Sequence, residues 1–407
     1  MKSPSLIWVQ IVTIMVAMCS MTAIKAYAKA EADGDSLEVS LLTCTPGHEV
    51  YELYGHTAIR IYNMRTKTDW TFNYGVFSFD TPHFAWRFIK GETDYRLGVI
   101  PTAAFIEGYA QDGRGVTAQV LNLSRDEARR LYDHLMQLAM QPYWTYRYNF
   151  LYDNCTTRAI ADVEHSLSGK VLWPDSVAPQ TFRQMIAEFA DGPACWNRFG
   201  QDLLIGAEAD KRIGVREQMF SPIYTFRFAA QARIQSADGS TRPLVRQEIV
   251  LAAATDDAAD AGATWFTPTM ATGGLLVLIL ALTAWEWRKR RTLRWVDNVL
   301  LAEQGTVGLL IAFMVCFSEH PTVGSNMLVC WLNPLPLPYL FWRAWRHRHQ
   351  QPDGYGQLIC ALLLLTVIAG IIAGQHYPIE VWLLMAVYAT RGIYALAASG
   401  QRRKAGA

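Results

Sequence analysis

With 407 residues, the chain has room for two domains, or for one soluble domain plus a membrane part. Its hydrophobic content is 51% against 18% charged residues, and the apolar residues concentrate at the extreme N-terminus and after about residue 266, which excludes a single evenly patterned soluble globule. A formal net charge of +1, with no basic patch interleaved with aromatics, argues against nucleic acid as a partner.

The N-terminus has one early lysine, an apolar run from Leu6 to Met18 and a small-residue exit at Ala26-Tyr27-Ala28. That pattern predicts a secretory signal peptide over 1–28, the rival reading being an uncleaved anchor. Either way, the segment after residue 30 is exported. Of seven cysteines, Cys44, Cys155 and Cys195 fall in the exported part. An odd number leaves at least one thiol unpaired within that part. Cys316, Cys330 and Cys360 lie in apolar runs and read as small core hydrophobes.

Residues 29–235 read as a mixed α+β domain. "SLEVSLLTC" (36–44), "HTAIRIYN" (56–63) and "DWTFNYGVFSF" (69–79) are rich in branched and aromatic residues and predict strands. "LSRDEARRLYDHLMQLAM" (123–140) predicts an amphipathic helix opened by a Ser124–Glu127 capping box. Another helix is predicted to start at or just before Cys155, and a short one over 181–190. The Ala-, Asp- and Gly-rich stretch 236–264 reads as a linker holding at most a short strand or helix.

After Trp265 the pattern predicts about five membrane spans, near 268–287, 296–317, 325–342, 357–374 and 378–397. Pro334, Pro336 and Pro338 predict that the third is broken or partly re-entrant. The clusters "RKRRTLR" (288–294), "RAWRHRH" (343–349) and "QRRK" (401–404) share one side, and the opposite loops lack Lys and Arg. The positive-inside rule puts those clusters in the cytoplasm and the 29–264 part outside the membrane. Glu303 is an ionisable group at membrane depth, either functional or placed near the cytoplasmic end.

"YNFLYDNCTTR" sets Cys155 at a helix start, where the dipole and free N–H groups favour a thiolate, and the N–H groups around Asn154 and Thr156 offer an oxyanion site. Of the exported histidines, His56 in "LYGHTA", at the mouth of a strand after Gly55, is the candidate base. The next strand offers Asn73 or Asp69 to orient it, and Asn73 is preferred because Asp69 falls at the turn. The competing assignment pairs Cys155 with Cys44 or Cys195 in a disulfide; a Cys44–Cys195 bridge is also open. No metal or cofactor is called for.

"LLTCTPGHEVYELYGHTAIRIYN", "FNYGVFSFD" and "YNFLYDNCTTR", with the later "SEHPTVGSNMLVCWLNPLPLPY", together resemble the Lnb family of lipoprotein N-acyltransferases. The resemblance implies a permuted, NlpC-type papain-like periplasmic domain followed by an all-α multi-span membrane domain. It implies His56 as base and Cys155 as nucleophile. Related permuted acyltransferases use a second histidine as third member; this chain has none in 57–82, so an Asn or Asp would serve. The implied reaction moves an acyl chain from membrane phospholipid, through a Cys155 thioester, to the α-amino group of a diacylated lipoprotein's N-terminal cysteine. Tyr54, Tyr152, Glu319 and His320 are further candidates for contact with substrate. The aromatic-rich segment 82–109 is either a lipid-contacting lip or ordinary core. A cell-wall peptidase of NlpC type and a non-catalytic lipoprotein-binding scaffold are the alternatives.

Overall fold

The computed structural model describes residues 36–405 apart from 50, 78–81, 142, 143, 176, 191, 256–263 and 350. The predicted signal peptide lies outside the described residues.

The N-terminal domain is built on a seven-stranded sheet whose paired neighbours are all antiparallel. Its first six strands are β1 (Leu37–Cys44), β2 (His56–Asn63), β3 (Asp69–Val76), β4 (Asp94–Pro101), β5 (Val116–Leu121) and β6 (Tyr146–Arg147). Short strands β7 (Lys170–Leu172), β8 (Gln180–Thr181), β9 (Arg212–Ile213), β10 (Arg233–Gln235) and β11 (Thr241–Pro243) make two small satellite sheets. The last strand, β12 (Val245–Ala252), pairs with β5, giving the order β12-β5-β1-β2-β3-β4-β6. The expected linker is therefore largely domain: alternation over "VRQEIVLA" completes an edge of the main sheet.

Helices α1 (Phe84–Lys90) and α2 (Thr102–Gln111) flank β4; α3 (Arg125–Ala139) and α4 (Cys155–Ser166) follow β5 and β6. Beyond them come α5 (Phe182–Ala190), α6 (Cys195–Leu204), α7 (Val215–Gln218) and α8 (Pro222–Gln231). The two sheet faces bury different sets, as strand alternation requires. Leu41, Ile59, Ile61 and Phe72 meet Leu131, Leu135, Ile160 and Val163 of α3 and α4 on one face. Leu42, Ala58 and Ala118 meet Phe105 of α2 on the other. Each such buried aliphatic or aromatic side chain contributes about 1.5–3 kcal/mol. The predicted capping box is present: Glu127 N–H donates to Ser124 Oγ at 3.3 Å and Ser124 N–H to Glu127 Oε2 at 2.8 Å. The aromatic-rich segment divides, with β4 and α2 in the domain's body and α1 against the membrane part.

Among the described residues, the C-terminal part has four helices long and apolar enough to cross a membrane: α9 (Pro268–Lys289), α10 (Arg294–Phe317), α12 (Tyr355–Ala373) and α13 (Ile379–Ala405). In place of a regular span at 325–342 the chain makes 3-10 turns at Val323–Ser325 and Met327–Cys330, then the 13-residue helix α11 (Pro336–Arg348). At ~1.5 Å per residue, α11 reaches about 20 Å, short of the ~30 Å hydrocarbon layer. The prolines withhold the amide donors a helix needs there. The irregular half is satisfied by protein, as when Gln304 Nε2 donates to Trp331 O at 2.7 Å.

One end of this bundle carries a buried ion network. Arg391 pairs with Glu286 and, at 2.7 Å, with Asp297; Arg343 reaches Asp297 at 3.2 Å and Asp353 at 2.6 Å. The other end meets the N-terminal domain. Asn326 Nδ2 donates to Leu203 O at 2.7 Å, and Gly206 N–H to Thr322 O at 3.1 Å. Residues 323–348 thus run from one end to the other, a fifth crossing made half of turns. Glu303 accepts from the Tyr388 hydroxyl at 2.5 Å.

A cysteine, a histidine and an asparagine where two strands part

The β1–β2 ladder runs the full length of both strands, to Cys44 opposite His56, whereas β2 and β3 stay paired only as far as Ile59 and Phe72. Beyond that point the two strands part. The N-terminus of α4 lies at this opening. Gly55 delivers His56 to it with φ 77°, and a Cβ there would come within 2.6 Å of Cys44 O, so glycine is required before the histidine.

Cys155 is positioned from its other side by a tight turn in which Asn149 and Asp153 exchange backbone hydrogen bonds of 3.0 and 2.9 Å. Asn154 then caps α4. Its Oδ1 accepts from Thr156 N–H (2.9 Å) and Thr157 N–H (3.0 Å), while its Nδ2 donates to Phe150 O (2.8 Å) and Phe220 O (2.9 Å). This revises the expected oxyanion site. The Thr156 amide is already used, and Asn154 N–H donates to Thr157 Oγ1 at 2.8 Å. The backbone donor that reaches the sulfur comes from β2 instead: the N–H of Thr57 hydrogen-bonds the Cys155 thiol. Cys155 N–H itself has no acceptor among the described residues.

His56 hydrogen-bonds the Cys155 thiol, and its Nε2 lies 2.6 Å from Asn73 Oδ1. An amide oxygen only accepts, so Nε2 carries the proton and Nδ1 is left as the base toward sulfur. Asp69, the alternative third member, is held in an ion pair with Arg60 at 2.6 Å. The structure therefore brings together Cys155, His56 and Asn73.

Burial opposes a thiolate at Cys155. The facing imidazolium, its hydrogen bond, the Thr57 N–H and the Thr156 hydroxyl outweigh that and bring the thiol down to about 7. For His56 burial again acts first, against the charge, but the thiolate and the Asn73 hydrogen bond leave its pKa raised. The two shifts describe one ion pair. Cys44, directly across the ladder from His56, is the contrast: burial pushes it up to about 12, with Arg114 and the Tyr109 hydroxyl only partly offsetting. Of these two neighbouring buried thiols, Cys155 alone has surroundings that favour the thiolate. All six described cysteines are free, so no disulfide competes for it.

Tyr109 of α2 stacks on His56, ring centroids 6.4 Å apart, and the Arg114 guanidinium lies 4.5 Å over Tyr109 while pairing with Glu52 at 2.9 Å. Sequence reasoning missed Thr57, Tyr109 and Arg114. They come from three separate elements, and no spacing announces them. The remaining candidates do other work. Tyr54 is buried, donates to Gln201 Oε1 at 2.8 Å and packs on Phe150. Tyr152 is half exposed with its hydroxyl 3.1 Å from Glu208. Glu319 and His320 bind the two domains together: Glu319 pairs with Arg147 at 2.6 Å and His320 Nε2 donates to Phe88 O at 2.7 Å.

No curated protein and no solved structure matches the chain. Family comparison does find matches: residues 23–187 correspond to the Lnb N-terminal periplasmic domain and residues 260–403 to the Lnb transmembrane domain. The two cover about three quarters of the sequence in the order seen here, as a sheet-based domain followed by membrane helices. The chain is therefore a membrane protein of the Lnb family, with a periplasmic N-terminal domain.

Proposed function

We propose that the protein is a cysteine-dependent lipoprotein N-acyltransferase. The Cys155 thiolate attacks an ester carbonyl carbon of a membrane phospholipid, forming the C–S bond. The tetrahedral oxyanion takes the Thr57 and Cys155 N–H groups as donors. Its collapse breaks the C–O bond, and the His56 imidazolium gives its proton to the departing lysophospholipid oxygen. The α-amino group of a diacylated lipoprotein's N-terminal cysteine then attacks the thioester. His56 Nδ1 accepts the amine's proton, the C–S bond breaks, and the triacylated product leaves Cys155 as thiolate. Asn73 holds the imidazole in the required tautomer throughout.

The observation that carries this reading is a buried cysteine hydrogen-bonded to an asparagine-held histidine at the end of the sheet nearest the membrane helices. At 7% exposure, Cys155 is also shielded from bulk water, which favours transfer over hydrolysis. A peptidase acting on soluble cell-wall peptides has no need of four spanning helices and a fifth crossing. Donor and acceptor both reside in the outer leaflet of the inner membrane, where a tethered domain meets them at high effective concentration. The basic clusters at the far ends of the membrane helices fit a cytoplasmic C-terminus.

The test is complementation of a strain lacking lipoprotein N-acylation, with mass spectrometry of a reporter lipoprotein. Wild type converts the diacylated N-terminus to triacylated; Cys155→Ser at normal protein level does not. An unchanged diacylated N-terminus with wild type refutes the activity. Full function in Cys155→Ser refutes covalent catalysis and favours a scaffold.

A further inference from the structure

The C-terminal carbonyls of a helix lack intrahelical partners and are normally met by the helix's own following residues or by water. In α1 the Arg87 and Phe88 carbonyls accept from the following N–H groups of Glu92 and Gly91, and the membrane part supplies the remaining donors. Glu319 N–H donates to Lys90 O at 2.7 Å, Ser318 Oγ to Ile89 O at 3.1 Å, and His320 Nε2 to Phe88 O at 2.7 Å. Gly91 allows the approach: its φ is 75°, and a Cβ there would lie 2.9 Å from His320 N. A helix of the periplasmic domain is thus capped by the segment just past membrane helix α10.

That cap sets the depth of α1. Trp86 packs on Phe313 at 4.9 Å between centroids, and α10 ends at Phe317. Four residues at ~1.5 Å place this contact about 6 Å from the end of α10, the headgroup level where Trp is favoured. Yet Trp86 remains 54% and Phe88 50% exposed to whatever surrounds the protein. A second patch lies at the start of α9: Trp265, Phe266 and Trp196 are exposed, and Trp196 Nε1 donates to Phe266 O at 2.9 Å. The charges around α1 neutralise one another. Arg87 pairs with Asp94, Lys90 with Glu92, and Arg147 bridges Asp94 and Glu319.

Strand direction gives the surface its meaning. α1 follows the C-terminal end of β3 and precedes the start of β4, the same end of the sheet as His56, whereas the β2–β3 turn at Met64 lies at the opposite end. We infer that α1 is an interfacial helix seated in the outer leaflet, and that the active-site end of the sheet meets its acyl donor across this apolar contact with the lipid surface. The seating stands on the geometry alone; the donor's use of it rests on the acyltransferase reading.

The full chain in neutral phosphatidylcholine vesicles tests both. Benzoylphenylalanine in place of Phe88 should photocrosslink to phospholipid, while the same residue at Met64 should not. A crosslink to protein instead of lipid, or equal labelling at both positions, overturns the seating. The variant Trp86→Ala/Phe88→Ala should form the Cys155 acyl-enzyme from vesicle phospholipid about tenfold more slowly. Its Cys155 should still react with soluble iodoacetamide within twofold of wild type. Unchanged phospholipid acylation, a parallel loss of iodoacetamide reactivity, or a requirement for anionic lipid overturns the role in donor delivery. If wild type forms no acyl-enzyme at all, the acyltransferase reading fails while the crosslink still decides the position of α1.

Discussion

Replacing His56 with alanine separates the contribution of the ion pair from that of burial. In the structure Cys155 is brought from the ordinary thiol value of 9.0 down to about 7 against burial, with His56 the largest favourable influence. At pH 7 about half the thiol is ionised, against about 1% for a thiol at 9, a roughly fiftyfold difference in thiolate. The lower-pKa thiolate is also the weaker nucleophile, and a Brønsted coefficient of ~0.4–0.5 returns about six- to tenfold of that. For a variant thiol at 9 the net loss of alkylation rate at pH 7 is then about five- to eightfold, and it grows as burial carries the thiol higher. The pH midpoint is the sharper observable. Because the thiolate is the reacting form, alkylation of wild type rises with pH through about 7 and levels off above it. In His56→Ala burial acts unopposed by the imidazolium, and the midpoint moves above 9. Iodoacetamide labelling of the full-length protein in detergent, quantified at Cys155 by mass spectrometry, measures it. A His56→Ala midpoint still below 8 would refute the ion pair.

In Cys155→Ser, Cys44 should stay unlabelled near neutral pH, since burial holds it near 12; efficient Cys44 labelling at pH 7 would contradict the closed pocket. Asn73→Ala removes one hydrogen bond to the imidazole and should slow acyl transfer roughly two- to tenfold, with Asn73→Gln tested for rescue in the same assay. Asn154→Ala strips the cap of α4 and leaves four backbone partners unmet; a loss of about 1–2 kcal/mol should lower the thermal unfolding temperature in detergent. Arg391→Ala leaves Glu286 and Asp297 buried without it, at a cost of about 3–5 kcal/mol, whereas the paired replacement Arg391→Met/Glu286→Met should regain much of the lost thermal stability.

Much of the site is legible in the sequence because its parts announce themselves locally. A Gly before a histidine at a strand's mouth, and a run of capping residues around a cysteine, are short-range signals governed by backbone sterics and helix-end hydrogen bonding. The membrane helices are legible for a similar reason, since hydropathy, length and flanking charge are one-dimensional quantities. Even the broken crossing is foreshadowed by its three prolines. The strand at 245–252 is not, because an Ala- and Asp-rich neighbourhood conceals an edge whose pairing partner lies more than a hundred residues away. Glu319 and His320 suit, by their chemistry, a place lining the acceptor's approach. Only the fold shows α1's carbonyls waiting for them instead.

By itself, the sequence determined the division into an exported α+β domain and a membrane part, and it singled out Cys155 and His56 as the candidate nucleophile and base. Why Cys155 and not the neighbouring Cys44 is set up as a thiolate was decided by tertiary structure. Both are buried cysteines beside His56, but Cys44 faces Tyr109 in the sheet's interior, while Cys155 sits where β2 and β3 part and receives the imidazole and the Thr57 N–H together. A thiolate's stability depends on which dipoles and charges surround it in three dimensions, and those come from elements with no common sequence period.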